Sequence, residues 1–471
     1  ATGVHDLRVA IRYCRSVAAV MQEVDGHPGW RQARRLPRKL FGELGALRDF
    51  HVLHDWVERL TFVEDPLRAR LLERLAVLEV GACAGAQRAA HTFDTKAWRR
   101  LSATLPKRAR LVGANGLAAQ CLALERFEDL CRLHARVARS DRPGPWHALR
   151  LAVKRFRYCV EILLPARSAV WAERLGRLQD LLGEIHDLDV LLLWLSRELD
   201  GAERETAESL RRTIARERKL RVKHYRQLTS GDDNPLLEWR AGLPQGPAVQ
   251  AATMARLRAT ARAMDSHPRR TAATSRLALQ LLDGLAASSP DGLFRAGHAR
   301  LVLRTAALLH AIRPGVGGAR HKAASAFLRS ASVPPAWRAT DWRLVAQVVR
   351  YQRKSEPRPQ HGRFSTLAPD EQRCVRALAG VLRLARTLHR CRTSGVGRVM
   401  CDGTTACLRL QVAGVPDTAE NAARLAFAKH LLEVHLQCPI VIDLVDDGAL
   451  AAASSVEGQT RPAVARLVRR R

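Results

Sequence analysis

Residues 147–163 read His147-Ala148-Leu149-Arg150-Leu151-Ala152-Val153-Lys154-Arg155-Phe156-Arg157-Tyr158-Cys159-Val160-Glu161-Ile162-Leu163. Wound at ~100° per residue, the α-helical step, this stretch separates into two faces. His147, Arg150, Lys154 and Arg157 form one stripe, and Leu149, Ala152, Val153, Phe156, Val160 and Leu163 form the opposite one. The pattern predicts a helix with a core side and a cationic side. Near the N-terminus His5, Arg8, Arg12 and Arg15 repeat the spacing, with Leu7, Ala10, Ile11, Cys14, Ala18 and Met21 opposite, all at an offset of 142. An internal repeat changes how the whole fold is read, so it comes first.

For a single stripe, a solvated charged face is the simpler account, because Lys and Arg favour helices. Two features point beyond it. The first stripe holds no acid and the second reaches Glu161 only a turn past Arg157, whereas a solvated face interleaves both signs. The same four positions are also basic or His in both copies.

Length and composition limit the alternatives. The 471 residues suffice for several domains with real cores. Lys and Arg number 78 against 46 Asp and Glu, a formal net charge of +32 that calls for an anionic partner. Aromatics at 5% argue against modules that read single-stranded RNA by stacking bases. Ten scattered cysteines without a Cys-x-x-Cys suggest reduced core thiols, not a disulfide framework or zinc site. With no apolar run of membrane-spanning length and no signal peptide, a soluble, cytoplasmic protein is expected. The chain opens on Ala1, so a trimmed start is expected.

In chain order, a first helix from His5 to about Val24 is broken by Gly26-His27-Pro28-Gly29. A second carries Arg31, Arg34, Arg35, Arg38 and Lys39 into Leu44-Gly45-Ala46-Leu47-Arg48-Asp49-Phe50-His51-Val52-Leu53. Its counterpart is Leu182-Gly183-Glu184-Ile185-His186-Asp187-Leu188-Asp189-Val190-Leu191, now at an offset of 138. Gly45 and Gly183 are expected to permit close helix approach. Asp49 and Asp187 are read as helix caps or as acceptors of charge-assisted hydrogen bonds from a neighbouring stripe. Further helices follow each motif, the second copy's carrying Arg211, Arg212, Arg218, Lys219 and Lys223. A helix over residues 112–138 precedes the second copy and has no equivalent before the first, so an incomplete first bundle is expected.

His-x-x-Arg-x-x-x-Arg/Lys-x-x-Arg followed by Leu-Gly-x-x-(Arg/His)-Asp-Leu-Asp-Val-Leu, twice over, resembles the CHAD domain (conserved histidine α-helical domain) across about residues 1–243. The resemblance implies two pseudo-symmetric helical bundles around a basic cleft, and binding of inorganic polyphosphate. It carries the motif histidines over to His5 and His147, and the cations to Arg8, Arg12, Arg15, Arg150, Lys154 and Arg157. Where the pattern has Asp-Leu-Asp, the first copy reads Asp49-Phe50-His51. The chemistry suits the residues: a flexible strand of dense charge without bases needs many cations on a rigid scaffold, with planar Arg forks for phosphate oxygens.

Pro235 and Gly242-Leu243-Pro244-Gln245-Gly246-Pro247 mark a boundary. Beyond it, Ser275–Asp283, Ala307–Ile312, Arg320–Ser325, Val348–Lys354 and Val381–Arg386 resemble the HD-like C-terminal half of the exopolyphosphatase/guanosine pentaphosphatase family. Strand, strand, helix, strand are expected at Gly397–Met400, Ala406–Val412, Thr418–Gln437 and Ile440–Leu444. HD phosphohydrolases hold metal with a His, a His-Asp pair and a later Asp. Here the pair reads His310-Ala311 and the later position Arg386, so His310 is expected to be an ordinary core or surface histidine. The actin-like domain that carries hydrolysis in exopolyphosphatases is absent from these residues.

The expected fold is mainly α: helical bundles over 1–110 and 111–243, an HD-like helical domain over 250–393, a small α/β cap over 394–447 and a basic tail over 448–471. The expected function is polyphosphate binding without catalysis. The binding set is His5, Arg8, Arg12, Arg15, Arg31, Arg35, Lys39, His147, Arg150, Lys154, Arg155, Arg157, Tyr158, Arg211, Arg212, Arg218, Lys219 and Lys223. His321, Lys322, Arg350, Arg353 and Lys354 form a second phosphate patch. No catalytic residue, metal or cofactor is expected. The second domain would extend the surface, form a homodimer or dock polyphosphate-metabolising enzymes, and the protein would associate with polyphosphate granules. Two alternatives stay open: an HD-type phosphohydrolase of polyphosphate or guanosine tetra/pentaphosphate, and a basic RNA- or ribosome-associated protein. A membrane partner is not expected, and nucleic acid ranks behind polyphosphate.

Overall fold

The computed structural model describes residues 2–199, 202–289, 291–314, 320–393, 399–403 and 407–445. The chain divides into two compact units, Ala1–Ala263 and Met264–Arg471. The basic tail and part of the first cap strand lie outside the described residues.

The first unit contains α1 (Thr2–Met21), α2 (Pro28–Arg35), α3 (Arg38–Leu60), α4 (Pro66–His91), α5 (Thr95–Ala109) and α6 (Leu117–Val137). It continues with α7 (Pro143–Leu163), α8 (Pro165–Glu198), α9 (Ala202–Thr206), α10 (Glu208–Leu228), α11 (Pro235–Ala241) and α12 (Pro247–Met264). Proline opens α2, α4, α7, α8 and α11, where its missing N–H costs no helix bond. The side chains of Asp65, Asp94 and Asn234 cap α4, α5 and α11 by accepting first-turn N–H groups.

Order and packing expose the repeat. α1 corresponds to α7, α2 with α3 to the single α8, and α4 to α10. The changed offset falls between the two motifs, where Pro37 separates α2 from α3. In the second copy α6 packs on α7, α7 on α8 and α8 on α10. In the first, α1 packs on α3 and α3 on α4, and α1 also lies against α7. Leu53, Trp56 and Val57 of α3 share a core with Leu188, Leu191, Trp194 and Leu195 of α8, which joins the two copies.

That arrangement corrects half of the expected apolar stripe of α1. Leu149, Ala152 and Phe156 are buried beneath α6, whereas Leu7, Ala10 and Cys14 at the matching positions are exposed; Ile11, Ala18 and Met21 are buried like their counterparts Val153, Val160 and Leu163. Among the described residues no helix covers α1 as α6 covers α7. The ten cysteines are free: Cys121, Cys159, Cys374 and Cys391 are buried, but Cys14 and Cys83 are exposed. The glycines also differ from expectation, since a Cβ at Gly45 or Gly183 would meet nothing within 4 Å. They do not bring helices together; Gly45 leaves space in a cleft instead.

The second unit contains α13 (Pro268–Ser288), a 3-10 turn (Gly292–Arg295), α14 (Gly297–Leu309), α15 (Arg320–Ser330), α16 (Ala339–Tyr351), α17 (Gly362–Ser365), α18 (Pro369–Cys391), β1 (Val399–Gly403), β2 (Leu408–Ala413), α19 (Ala419–Leu436) and β3 (Ile440–Val445). α18 is central: Val375, Leu378, Ala379, Val381, Leu382 and Ala385 are fully buried, because α13, α14, α16 and α19 all pack on it. Gly380 lets α19 approach, since a Cβ there would lie 3.2 Å from the backbone nitrogen of Leu432. The cap is a three-stranded sheet ordered β1-β2-β3, antiparallel between β1 and β2 and parallel between β2 and β3.

Candidate anion-binding cleft

Helices α1 and α7 each bring part of their cationic stripe to one cleft of about 680 Å³ in the first unit. Arg8, Arg12 and Arg15 line it from α1, and Arg150, Lys154, Arg155 and Tyr158 from α7. The two sides touch: Arg12 Nη1 donates to Tyr158 Oη at 3.0 Å. Arg34 and Arg126 complete eight cationic lining residues, against Glu23, Asp49 and Asp187. Of these acids Glu23 is already ion-paired to Arg126.

Several cations are held in position. Arg8 Nη1 donates to Leu44 O at 2.8 Å, and Arg15 lies 4.6 Å from the Phe41 ring centroid. Burial, with repulsion from Arg150 and Arg12, pushes Lys154 down to about 8. Burial also lowers Arg150, although Asp187 and Asp49 pull it back up, and its Nε is buried with no hydrogen-bond partner among the described residues. Such concentrated, desolvated positive charge is costly without an anion.

Asp187 behaves differently from expectation. It stands in mid-helix and accepts no hydrogen bond from either stripe among the described residues. Burial raises its carboxyl pKa while the charges of Arg150, Arg48 and Lys154 oppose the rise. Asp49 also stands within a helix, so neither is a cap.

Other expected residues sit elsewhere. Arg31, Arg35 and Lys39 are exposed outside the cleft; Arg34, on a different phase of α2, lines it. Arg157 Nε bonds Glu161 at 2.7 Å. Arg211 and Arg212 lie beside Glu208, and Lys219 and Lys223 are exposed away from the cleft. Arg218 donates to Asp189, in a pair whose side chains are only 12% and 11% exposed. His147 Nδ1 lies 3.3 Å from His186 Nδ1, and it is His186 that reaches the cleft. Burial and Arg150 push His186 down to about 4, so it is neutral there. The side chain of His5 lies outside the described residues.

The unusual Asp49-Phe50-His51 also finds its explanation. His51 Nε2 lies 2.7 Å from Glu79 Oε1, a link from α3 to α4. The corresponding link from α8 to α10 is Asp189 with Arg218, so the first copy has the acid on the other helix. In the second unit His321 and Arg353 line a cavity of about 610 Å³; Lys322, Arg350 and Lys354 do not.

These features define a helical domain with a basic cleft, followed by a helical domain with a small mixed-sheet cap. Residues 1–196 match the CHAD domain, and residues 255–435 match the Ppx/GppA phosphatase, domain III. The chain therefore joins a CHAD domain to a Ppx/GppA domain III. A search of curated proteins finds no match. The CHAD match ends within α8, so Arg211, Arg212, Arg218, Lys219 and Lys223 fall beyond it. Among the described residues no helix is long and apolar enough to cross a membrane.

Proposed function

We propose that the cleft of the first unit binds inorganic polyphosphate, without chemistry at that site. One observation carries the reading: both copies of the repeat contribute cations of their stripes to the same cleft, Arg8, Arg12 and Arg15 from one and Arg150 and Lys154 from the other, where Arg12 meets Tyr158. A strand lying there meets guanidinium and ammonium groups from two helices at once. Planar guanidinium forks suit phosphate oxygens, and the lining offers few exposed rings on which bases could stack. The CHAD match is in keeping with a polyphosphate-related role. The second unit adds binding or docking surface. Association with polyphosphate granules and polyphosphate-metabolising enzymes follows from the ligand and belongs to this proposal.

The test is a titration of the full chain with polyphosphate of several lengths, repeated with tRNA and nucleotides as competitors at moderate salt. Long-chain polyphosphate should bind tightest and resist displacement by tRNA. Displacement by tRNA at comparable phosphate concentration would point to a nucleic-acid partner instead.

A further inference from the structure

The cavity of the second unit is strongly basic at the place where HD phosphohydrolases hold a metal. Six arginines line it: Arg270, Arg313, Arg353, Arg386, Arg390 and Arg392. Asp265 is the one carboxylate among its lining residues. His310, Ala311 and Arg386 all stand on its wall, so the two positions that would supply carboxylates to a divalent ion supply a methyl and a guanidinium. Hard divalent ions need anionic oxygen ligands. Among the described residues, none of the cavity's His or Asp side chains belongs to a group of three with ligand atoms within 4.8 Å of one another.

The wall is braced. Arg386 Nη1 donates to Gln352 O at 2.9 Å, Gln352 Nε2 donates to His310 O at 2.7 Å, and His310 Nδ1 donates to Ala307 O at 2.8 Å. Arg383, one turn before Arg386 and buried, donates to the carbonyls of Tyr351 and Ser355 at 3.0 Å each. That fixes the segment after α16, in which Lys354 takes a left-handed φ of 57°. Arg386 uses one of its five N–H donors in this scaffold, leaving others for a ligand.

We propose that this cavity is a second anion site, built for a compact phosphoanhydride such as a tripolyphosphate, either free, at the end of a longer chain, or carried by a nucleotide. Its volume suits a small ligand. Several convergent guanidinium groups match adjacent phosphates better than a single carboxylate. Burial and the neighbouring Arg353, Arg390 and Arg383 push Arg386 down to about 9, a repulsion that a bound anion would relieve. Burial and the same arginine-rich surroundings hold His321 near 4, so at neutral pH it is uncharged. The inference rests on the second unit alone and stands or falls separately from the cleft.

The experiment uses the full chain with Arg150→Ala and Lys154→Ala, which weakens the cleft, titrated calorimetrically with inorganic tripolyphosphate. About one site per chain should remain. Adding Arg270→Ala and Arg390→Ala, both exposed side chains, should weaken it by about tenfold or more, as expected for lost charge-assisted bonds. Unfolding temperature should not change. Arg386→Met should weaken it too, with its own melting curve as a folding control. A nucleoside triphosphate that binds as tightly as tripolyphosphate assigns the site to nucleotides, and one that binds more weakly assigns it to chain ends. Equal tripolyphosphate affinity with and without Arg270→Ala and Arg390→Ala overturns the site. Unchanged long-chain binding after Arg150→Ala and Lys154→Ala would count against the cleft alone.

Discussion

The α1 and α7 halves of the first unit carry the same cationic pattern in unlike surroundings. In the second copy α6 covers the apolar face, and Leu149, Val153 and Phe156 are completely buried. In the first, Leu7 is 43% exposed and Cys14 lies open. The links behind the stripes differ as well: Asp189 with Arg218 is nearly buried, while His51 and Glu79 are 39% and 41% exposed. Yet both stripes reach the same cleft. The repeat has kept its charged face while half of its apolar one, Leu7, Ala10 and Cys14, has come to the surface, so binding and stability should separate between the copies.

The largest contrast should come from the core. Phe156→Ala should cost ~3–5 kcal/mol, as buried aromatic truncations do, whereas Cys14→Ala at the matching exposed position should stay within ~0.5 kcal/mol. Denaturant midpoints of the full chain check both. Breaking the buried link comes next. Asp189→Ala leaves the Arg218 guanidinium without its carboxylate, holding only the Asp141 carbonyl, and should cost ~3 kcal/mol, while His51→Ala removes an exposed contact worth ~1 kcal/mol or less. Similar losses at the two sites would mean that the copies are equally well packed.

A pH effect should single out the second copy. Lys154, held down to about 8, faces Arg12 at the matching position of the first copy. A bound polyanion favours its charged form and raises its pKa. Below about pH 8 the lysine already carries its proton, so this group adds no slope. Above that, binding must take up a proton, and affinity should fall by up to about tenfold per pH unit. Lys154→Arg should remove this dependence in a titration series from pH 7 to 10, and a slope unchanged by Lys154→Arg would assign it elsewhere.

Much of this was readable from residue order. The offsets of 142 and 138 revealed the repeat, and the helical phase of His147, Arg150 and Lys154 separated charged from apolar faces. What a helix phase cannot show is which cations are already paired across helices. Arg218 with Asp189 is a tertiary contact, and its partner lies 29 positions away. On α2 only Arg34 lines the cleft and Arg31 and Arg35 do not, a choice that depends on how the short helix packs rather than on its run of arginines. In the second unit a signal was present: Arg386, His389 and Arg390 stand at i, i+3 and i+4 on α18 and line one cavity. Arg270 and Arg313 come from distant segments, and only folding brings them to it.

The most direct measurement is the salt dependence of long-chain polyphosphate binding for the unaltered chain, Arg8→Ala, Arg150→Ala and the double variant. Each lost phosphate contact should lower the log–log slope by roughly one, because counterion release scales with contacts. If one strand engages both stripes, the two single changes should weaken binding alike, the double change should lower the slope by about two, and short chains should suffer less than long ones. Loss of binding with Arg150→Ala, and no effect of Arg8→Ala at any chain length, would contradict the shared cleft and confine the site to the second copy.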